Sequence, residues 1–377
     1  MEALSTPLRT AMSVFYITRA SGSETDISLD VSADLLSCSY TDKIDDEADE
    51  VSLTLKDETG KWAGSWSPTR GDFLRVIFAN ERGEVDTGKM SIDELRTSGR
   101  PRVFEVRGVN VPLDNTIRRT MKTRTFEQST LSAIGAQIAD TNGLSFKYDC
   151  EDDPEYDRSD QKDESDLAYL KRLCKDAGYS VKIFDGLLYV FDQKSFESKP
   201  AVKTIEESGG TVLSWNFQAQ QSERYKAVTV KWRDVSKKTR SGSSPKTDEV
   251  SLYLTGKGSA KAEVAKGNTA VKQEYVDYTY TDDSVDESGQ IYVLKKRCTN
   301  LGEAERLARA KLRELNLRQL TGSLSVIGDP ALQAGTVVEL KSFGSFDGNF
   351  IVESASHSMS GSGYVTSIEV RRVNVNY

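Results

Sequence analysis

The sequence predicts a mixed, mainly β fold (α+β) in which two β-barrel domains flank an inserted α/β domain. Three observations predict it. Through the first hundred residues apolar and polar positions alternate, with many β-branched side chains, the period of half-buried strands. A strand, polar turn and strand over residues 68–95 recurs in the same order over residues 330–354, as a duplicated barrel would require. Between Pro112 and Pro200 a helical period gives way to an extended one twice. The expected domains are a first barrel at 1–112, an α/β insertion at 113–200, and a second barrel at 201–377 with a flexible insertion around 236–298.

Met12 to Ile17, Ile27 to Val31 and Val51 to Leu55 read as strands. Pro68 to Phe78 and Gly88 to Leu95 read as strands around the polar turn Ala79 to Thr87, and Val103 to Val111 as a strand that Pro112 ends. Arg70-Gly71-Asp72 matches an integrin-binding tripeptide, but it enters a strand and is read as structural. In the insertion, Thr125 to Thr130 leads into Leu131, Ile134 and Ile138 at helical spacing, stopped by Asn142-Gly143 before the strand Leu144 to Tyr148. Ser165 can cap a second helix whose apolar face is Leu167, Leu170, Cys174 and Ala177. Gly178 ends that helix, and Tyr179 to Ile183 and Leu187 to Phe191 form a hairpin around Asp185-Gly186.

Thr211 to Phe217 and Tyr225 to Trp232 are strands again. Ser236 to Lys246 combines Gly, Ser, Pro and basic residues with no apolar period, and reads as a mobile loop. Tyr275, Tyr278 and Tyr280 suggest an extra strand in the polar stretch Lys257 to Asp286. A helix then begins at Leu301, with Ala304, Leu307, Ala308, Lys311, Leu312 and Leu315 on one stripe. Strands resume at Gly322 and close on the hairpin of Val337, Val338 and Leu340 with Asn349 to Ser354.

With 377 residues and a 37% apolar share, burial is sufficient for two or three domains. The start Met1-Glu2-Ala3 carries no basic-then-apolar leader, and no apolar run approaches the roughly 20 residues that span a bilayer, so a soluble chain without membrane insertion is expected. Cys38, Cys150, Cys174 and Cys298 lie far apart with no CxxC spacing, which suits reduced thiols. A net charge of −8 argues against a sequence-independent grip on nucleic acid.

Hydrolysis needs a nucleophile with a base, two placed carboxylates, or a metal cluster. His357 is the single histidine and sits on an apparent strand, without a Gly-x-Ser-x-Gly elbow, an HExxH or a phosphate-binding loop anywhere. The acidic run Asp149 to Asp163 could hold a glycosidase pair or calcium, but Asp152, Asp153, Glu155, Asp157 and Asp160 lack the glycine and terminal glutamate of an EF-hand loop. A solvated charge run is the plainer reading. No catalytic, cofactor-binding or metal-binding residue is therefore assigned, and no cofactor is expected.

The run Ser165-Asp166-Leu167-Ala168-Tyr169-Leu170-Lys171-Arg172-Leu173, with Gly178-Tyr179 behind it, closely resembles the late control gene D family of phage tail hub proteins, and the type VI secretion spike protein VgrG shares it. Ser39 to Lys43 with Glu47 to Leu55, Val228 to Asp234, and the order from Ala304 to Val370 (Gly328-Asp329-Pro330, Ala334-Gly335, Gly348, His357, Gly363-Tyr364) are similar to the same family. The resemblance implies that both barrels are tail-tube-like, and that the chain is a structural baseplate hub of a contractile phage tail or a phage-tail-like bacteriocin or injection particle. It implies a homotrimer whose six barrels adapt a hexameric tail tube to a trimeric central spike and line the channel. Implied partners are the tail tube or a tube-initiator protein, baseplate wedge proteins and a spike, with the tape measure protein as a further candidate. VgrG continues into its own spike whereas this sequence stops at Tyr377, so the spike is expected to be a separate polypeptide. Assembly is expected in the cytoplasm of the bacterial host, and residence in the virion baseplate. The alternatives from other classes are a tail-borne cell-wall hydrolase and an adhesive receptor-binding component.

Overall fold

The computed structural model describes residues 9–44, 48–110, 116–184, 186–220, 224–233, 258–261, 275–285 and 289–373. The expected loop Ser236 to Lys246 lies outside the described residues. Two compact units form: one from the residues up to Arg172 with Tyr179–Gln218 and Thr321–Val373, the other from Leu173–Gly178 and Ala219–Leu320.

The first unit begins with β1 (Thr10–Ile17), β2 (Glu24–Asp26), α1 (Ser28–Asp34), β3 (Leu35–Lys43), β4 (Glu50–Lys56), β5 (Phe73–Asn80), β6 (Gly83–Asp86), β7 (Met90–Ser98) and β8 (Val103–Val109). Period-two burial runs through β4 and β5, where Val51, Leu53, Leu55 and Leu74, Val76, Phe78 point inward. The polar stretch read as a turn contains a short strand, β6, paired antiparallel with β5. Ile27 to Val31, expected as a strand, is corrected to helix α1. Asp26 accepts the Ser28 amide at 2.9 Å and the Ser28 hydroxyl accepts the Val14 amide at 2.9 Å, which turns the backbone out of the extended form. A strand would have put Leu29 beside Val31, but Leu29 is 86% exposed and Val31 is fully buried.

The chain continues as α2 (Thr116–Arg119), β9 (Met121–Thr130), α3 (Leu131–Thr141), β10 (Ser145–Asp149), β11 (Glu155–Ser165), α4 (Asp166–Ala177), β12 (Ser180–Phe184), β13 (Leu187–Phe191) and α5 (Gln193–Glu197). The expected Ser165 cap is present, accepting the Ala168 amide, and Thr130 caps α3 in the same way by accepting the Ala133 amide, while Gly143 and Gly178 take the left-handed conformation just past their helices. β12 and β13 form the expected antiparallel hairpin, extended by β10 in parallel. The acidic run, read as a solvated charge run, is mostly strand, because β11 pairs antiparallel with β9 along almost its whole length.

After β14 (Lys203–Glu206) and β15 (Val212–Ala219), the second unit supplies β16 (Tyr225–Arg233), β17 (Gly258–Lys261), β18 (Tyr275–Thr281), β19 (Gln290–Cys298) and α6 (Leu301–Asn316). Its sheet runs β17-β18-β16-β19, and β18 is the strand expected from the tyrosine spacing. Val228, Val230, Tyr278 and Cys298 pack on Ala304, Leu307, Ala308 and Leu312 of α6. Asn300 accepts the Glu303 amide and Glu303 accepts the Thr299 amide, a reciprocal cap that sets where α6 starts.

The chain ends its described course in the first unit with β20 (Leu320–Ile327), β21 (Val337–Lys341), β22 (Gly348–Ser360) and β23 (Gly363–Arg372). β22 pairs antiparallel with β3, His357 opposite Tyr40. Strands of both expected barrels therefore share one sheet, ordered β15-β20-β23-β22-β3-β4-β8-β7-β5-β1-β2, while β16 to β19 of the expected second barrel stand in the separate sheet, and neither set closes on itself among the described residues. The fold is mainly β, and Tyr364 of β23 reaches the core built by β1, β4, β5, β7 and β8.

Candidate assembly surface

His357 is fully buried, with Nδ1 2.7 Å from the Tyr364 hydroxyl and the rings of Tyr40 and Phe78 alongside. Burial drives its pKa down to about 4, so it is neutral at physiological pH. In the acidic run, Asp153 accepts the Ser132 amide and hydroxyl, and Asp160 accepts Arg158 and Thr125, which lower it to about 2. Among the described residues no group of His, Cys, Asp or Glu is placed to hold a metal ion. Asp72 of the Arg-Gly-Asp tripeptide accepts the Tyr16 hydroxyl and the Arg19 amide, and Gly71 has a φ of 94°, so the tripeptide is a tied turn into β5. All four cysteines are free, three of them buried.

At the head of α4, Asp166 is fully buried. Burial opposes its ionisation, yet Lys122 at 2.6 Å, Asn142 at 3.0 Å and Gln161 at 3.1 Å, with Arg124 at 2.7 Å, hold its carboxyl below the usual range. That network stitches β9, α3 and β11 to α4, which gives the Ser165-Asp166 pair a packing role.

The feature that asks for a partner is the edge of the large sheet. Among the described residues β15 ends the strand path, and Val212-Leu213-Ser214-Trp215-Asn216-Phe217-Gln218-Ala219 contains no charge. Leu213 is 56% and Trp215 45% exposed. The Trp215 ring stacks on Phe217 at 5.5 Å and meets Phe343 edge-on at 5.6 Å, while Phe217 stacks on Phe346 and tilts against Phe350. Gly322 on β20 makes room for this, since a Cβ there would lie 2.1 Å from the Phe217 ring. At the other end of the path, β2 is three residues long, carries Glu24 and Asp26, and is exposed at each position. Short charged edges resist pairing with other chains, whereas a long uncharged apolar edge invites it. The alternation Leu213, Trp215, Phe217 was visible in the sequence, but its position at an edge depends on pairing with strands a hundred residues away.

Comparison with known proteins gives one picture. The sequence profile of the phage tail baseplate hub (GPD) family matches residues 98–363. The chain is 26% identical over 372 residues to a protein of Escherichia phage P2 described as "Probable baseplate hub protein", covering 93% of this chain and 92% of that one. A tail protein from Neisseria meningitidis MC58 superposes with a TM-score of 0.66 at 14% identity, covering 97% and 98% of the two chains. A component of the Escherichia coli type VI secretion system, itself similar to phage T4 tail proteins, superposes with a TM-score of 0.53 at 12% identity, covering 91% of this chain and 75% of the other. These structural likenesses concern the fold.

Proposed function

This chain belongs to the phage tail baseplate hub family, and from that premise we propose that it works as a homotrimer joining a hexameric tail tube to a trimeric central spike in a contractile tail or tail-like particle. Its strands from residues 1–112 and 201–377 serve as two tube-like halves, with 113–200 as the insertion between them, so that three copies present six halves to the tube and line the channel. The observation that carries this reading is the β15 edge, on which no further strand pairs among the described residues, with Leu213 and Trp215 exposed on an uncharged strand. Closed assembly is the use of such an edge that avoids open-ended aggregation. The hub makes no catalytic contribution, and its partners are the tube or tube initiator, the spike, the wedge proteins and the tape measure protein. It assembles in the host cytoplasm.

Multi-angle light scattering of the full chain, alone and with the spike partner, tests this. A trimer in at least the second sample is expected, and threefold symmetry at the hub in a cryo-EM map of the particle. A strict monomer with the spike present would overturn it. Purified peptidoglycan incubated with the protein is expected to release no soluble fragments, and release would restore the hydrolase alternative.

A further inference from the structure

A closed ring of three copies needs two different contact surfaces on every chain, because each copy meets one neighbour with its head and the other with its tail. Antiparallel pairing of β15 with the β15 of a second copy is two-fold and closes at a dimer, so a trimer must offer β15 some other surface. Among the described strands only β15 and β19 carry two large apolar side chains exposed two residues apart: Leu213 and Trp215 on the first, Ile291 at 58% and Val293 at 59% on the second. Both strands end their sheets among the described residues, β19 pairing only with β16. Tyr292 and Leu294 of β19 pack on the α6 side, which by alternation turns Ile291, Val293 and Lys295 to the open face. From Gln290 to Leu294 the strand is uncharged, as β15 is throughout.

We propose that β19 receives the β15 edge of the neighbouring copy, the strands running antiparallel, with Leu213 across from Val293 and Trp215 across from Ile291. The inference rests on the trimer reading above and supplies its second face. Charge sets the direction. Glu206 and Glu207 precede β15, Lys295-Lys296-Arg297 close β19, and all five are exposed. Lys296 already meets Asp176, while no ion pair engages Glu206, Glu207 or Lys295 among the described residues. In the antiparallel register Lys295 falls across from Thr211 and Arg297 across from Gly209, which brings the basic end of β19 to the two glutamates. A parallel register would carry that basic end to Phe217 and Ala219, where Gln218 and Gln220 offer no acid. Opposite charges at matched strand ends favour the first arrangement. Repeated around a threefold axis, the contact uses one β15 and one β19 from each copy and leaves neither apolar edge open.

Disulfide trapping between full-length chains tests the contact, since residues across an antiparallel ladder lie about 4.5 to 5.5 Å apart at Cα, within reach of a disulfide. Leu213→Cys and Val293→Cys chains are oxidised with copper–phenanthroline, each alone and mixed, at concentrations where light scattering reports the trimer. Three of the four native cysteines are buried, and wild type treated alike sets the background. A disulfide between copies is expected in the mixture and in neither variant alone, and the double variant should give a covalently closed trimer. Three results overturn the contact: Leu213→Cys cross-linking to itself, a 213–293 disulfide formed within one chain, or a trimer that yields no 213–293 disulfide. The last removes this contact and keeps the trimer, whereas a monomer at every concentration overturns both. A charge exchange checks the pairing without cysteine chemistry. Val293→Asp should weaken assembly about tenfold or more, and adding Leu213→Lys to the same chain should restore most of that loss; no restoration would also overturn the pairing.

Discussion

His357 Nδ1 and the Tyr364 hydroxyl lie 2.7 Å apart, in a site that leaves the imidazole no exposure to solvent. Burial holds the folded imidazole near 4, well below the ordinary 6.5. Between those values the unfolded chain binds a proton the folded chain refuses, so stability is complete above about 6.5 and falls as pH drops toward 4. The full effect is about 3 kcal/mol, from about 1.4 kcal/mol for each pKa unit. His357→Gln should remove this slope; the stability difference between variant and wild type, followed from pH 7 to 4, would stay flat if the imidazole were not buried in solution.

Leu170 on α4 is fully buried, as are Val190 and, nearly, Val181 and Ile183 of the hairpin. Leu170→Ala is expected to cost about 2 to 5 kcal/mol through lost transfer energy and a residual cavity. Denaturant melts of the full chain report it, and a loss under about 0.5 kcal/mol would remove Leu170 from the core.

Gly135 faces inward on α3, and a Cβ there would sit 2.6 Å from the Phe146 ring of β10. Alanine ordinarily favours a helix by up to about 1 kcal/mol over glycine. Overpacking costs about 1 to 3 kcal/mol and should win. Gly135→Ala is therefore expected to melt lower than wild type; a higher melting point would mean the helix and strand separate freely.

Leu213→Lys places a charge on the exposed face of β15. Such a surface change should alter folding stability by no more than about 0.5 kcal/mol, yet weaken trimer formation at least about tenfold, a loss of about 1.4 kcal/mol. Sedimentation velocity across a concentration series separates the two effects. Unchanged assembly would move the interface away from β15.

Where local chemistry decides structure, the sequence was readable. Ser165 and Gly178 bound α4, α6 begins at Leu301 as its apolar stripe requires, and Gly186 sits between the hairpin strands, each within a few residues of its cause. Ile27 to Val31 misled because alternation over five residues fits a strand, and only the Asp26 and Ser28 hydrogen bonds to neighbouring amides distinguish a turn of helix. β11 was hidden for a different reason. Its residues EYDRSDQKDES offer no apolar face, and the strand is held by backbone pairing to β9 together with cross-strand contacts such as Thr125 with Asp160 and Arg124 with Gln161. The ion pairs of Lys182 with Asp42 and Asp49 were invisible in the same way, since Asp42 and Lys182 meet only after 140 residues have folded back.

The pairing of β22 with β3 also has a cost during synthesis. Thr41 and Ser356, hydrogen-bonded across that ladder, are 315 residues apart. At about 5 to 20 residues per second a ribosome takes roughly 15 to 60 s to make that length. For all that time one side of β3 has no native neighbour, and its backbone groups are open to any extended segment that passes. A nascent chain of this kind depends on being shielded while it waits, and a message truncated before residue 354 would yield a product with a permanently open strand edge, fit for degradation or aggregation rather than for a tail.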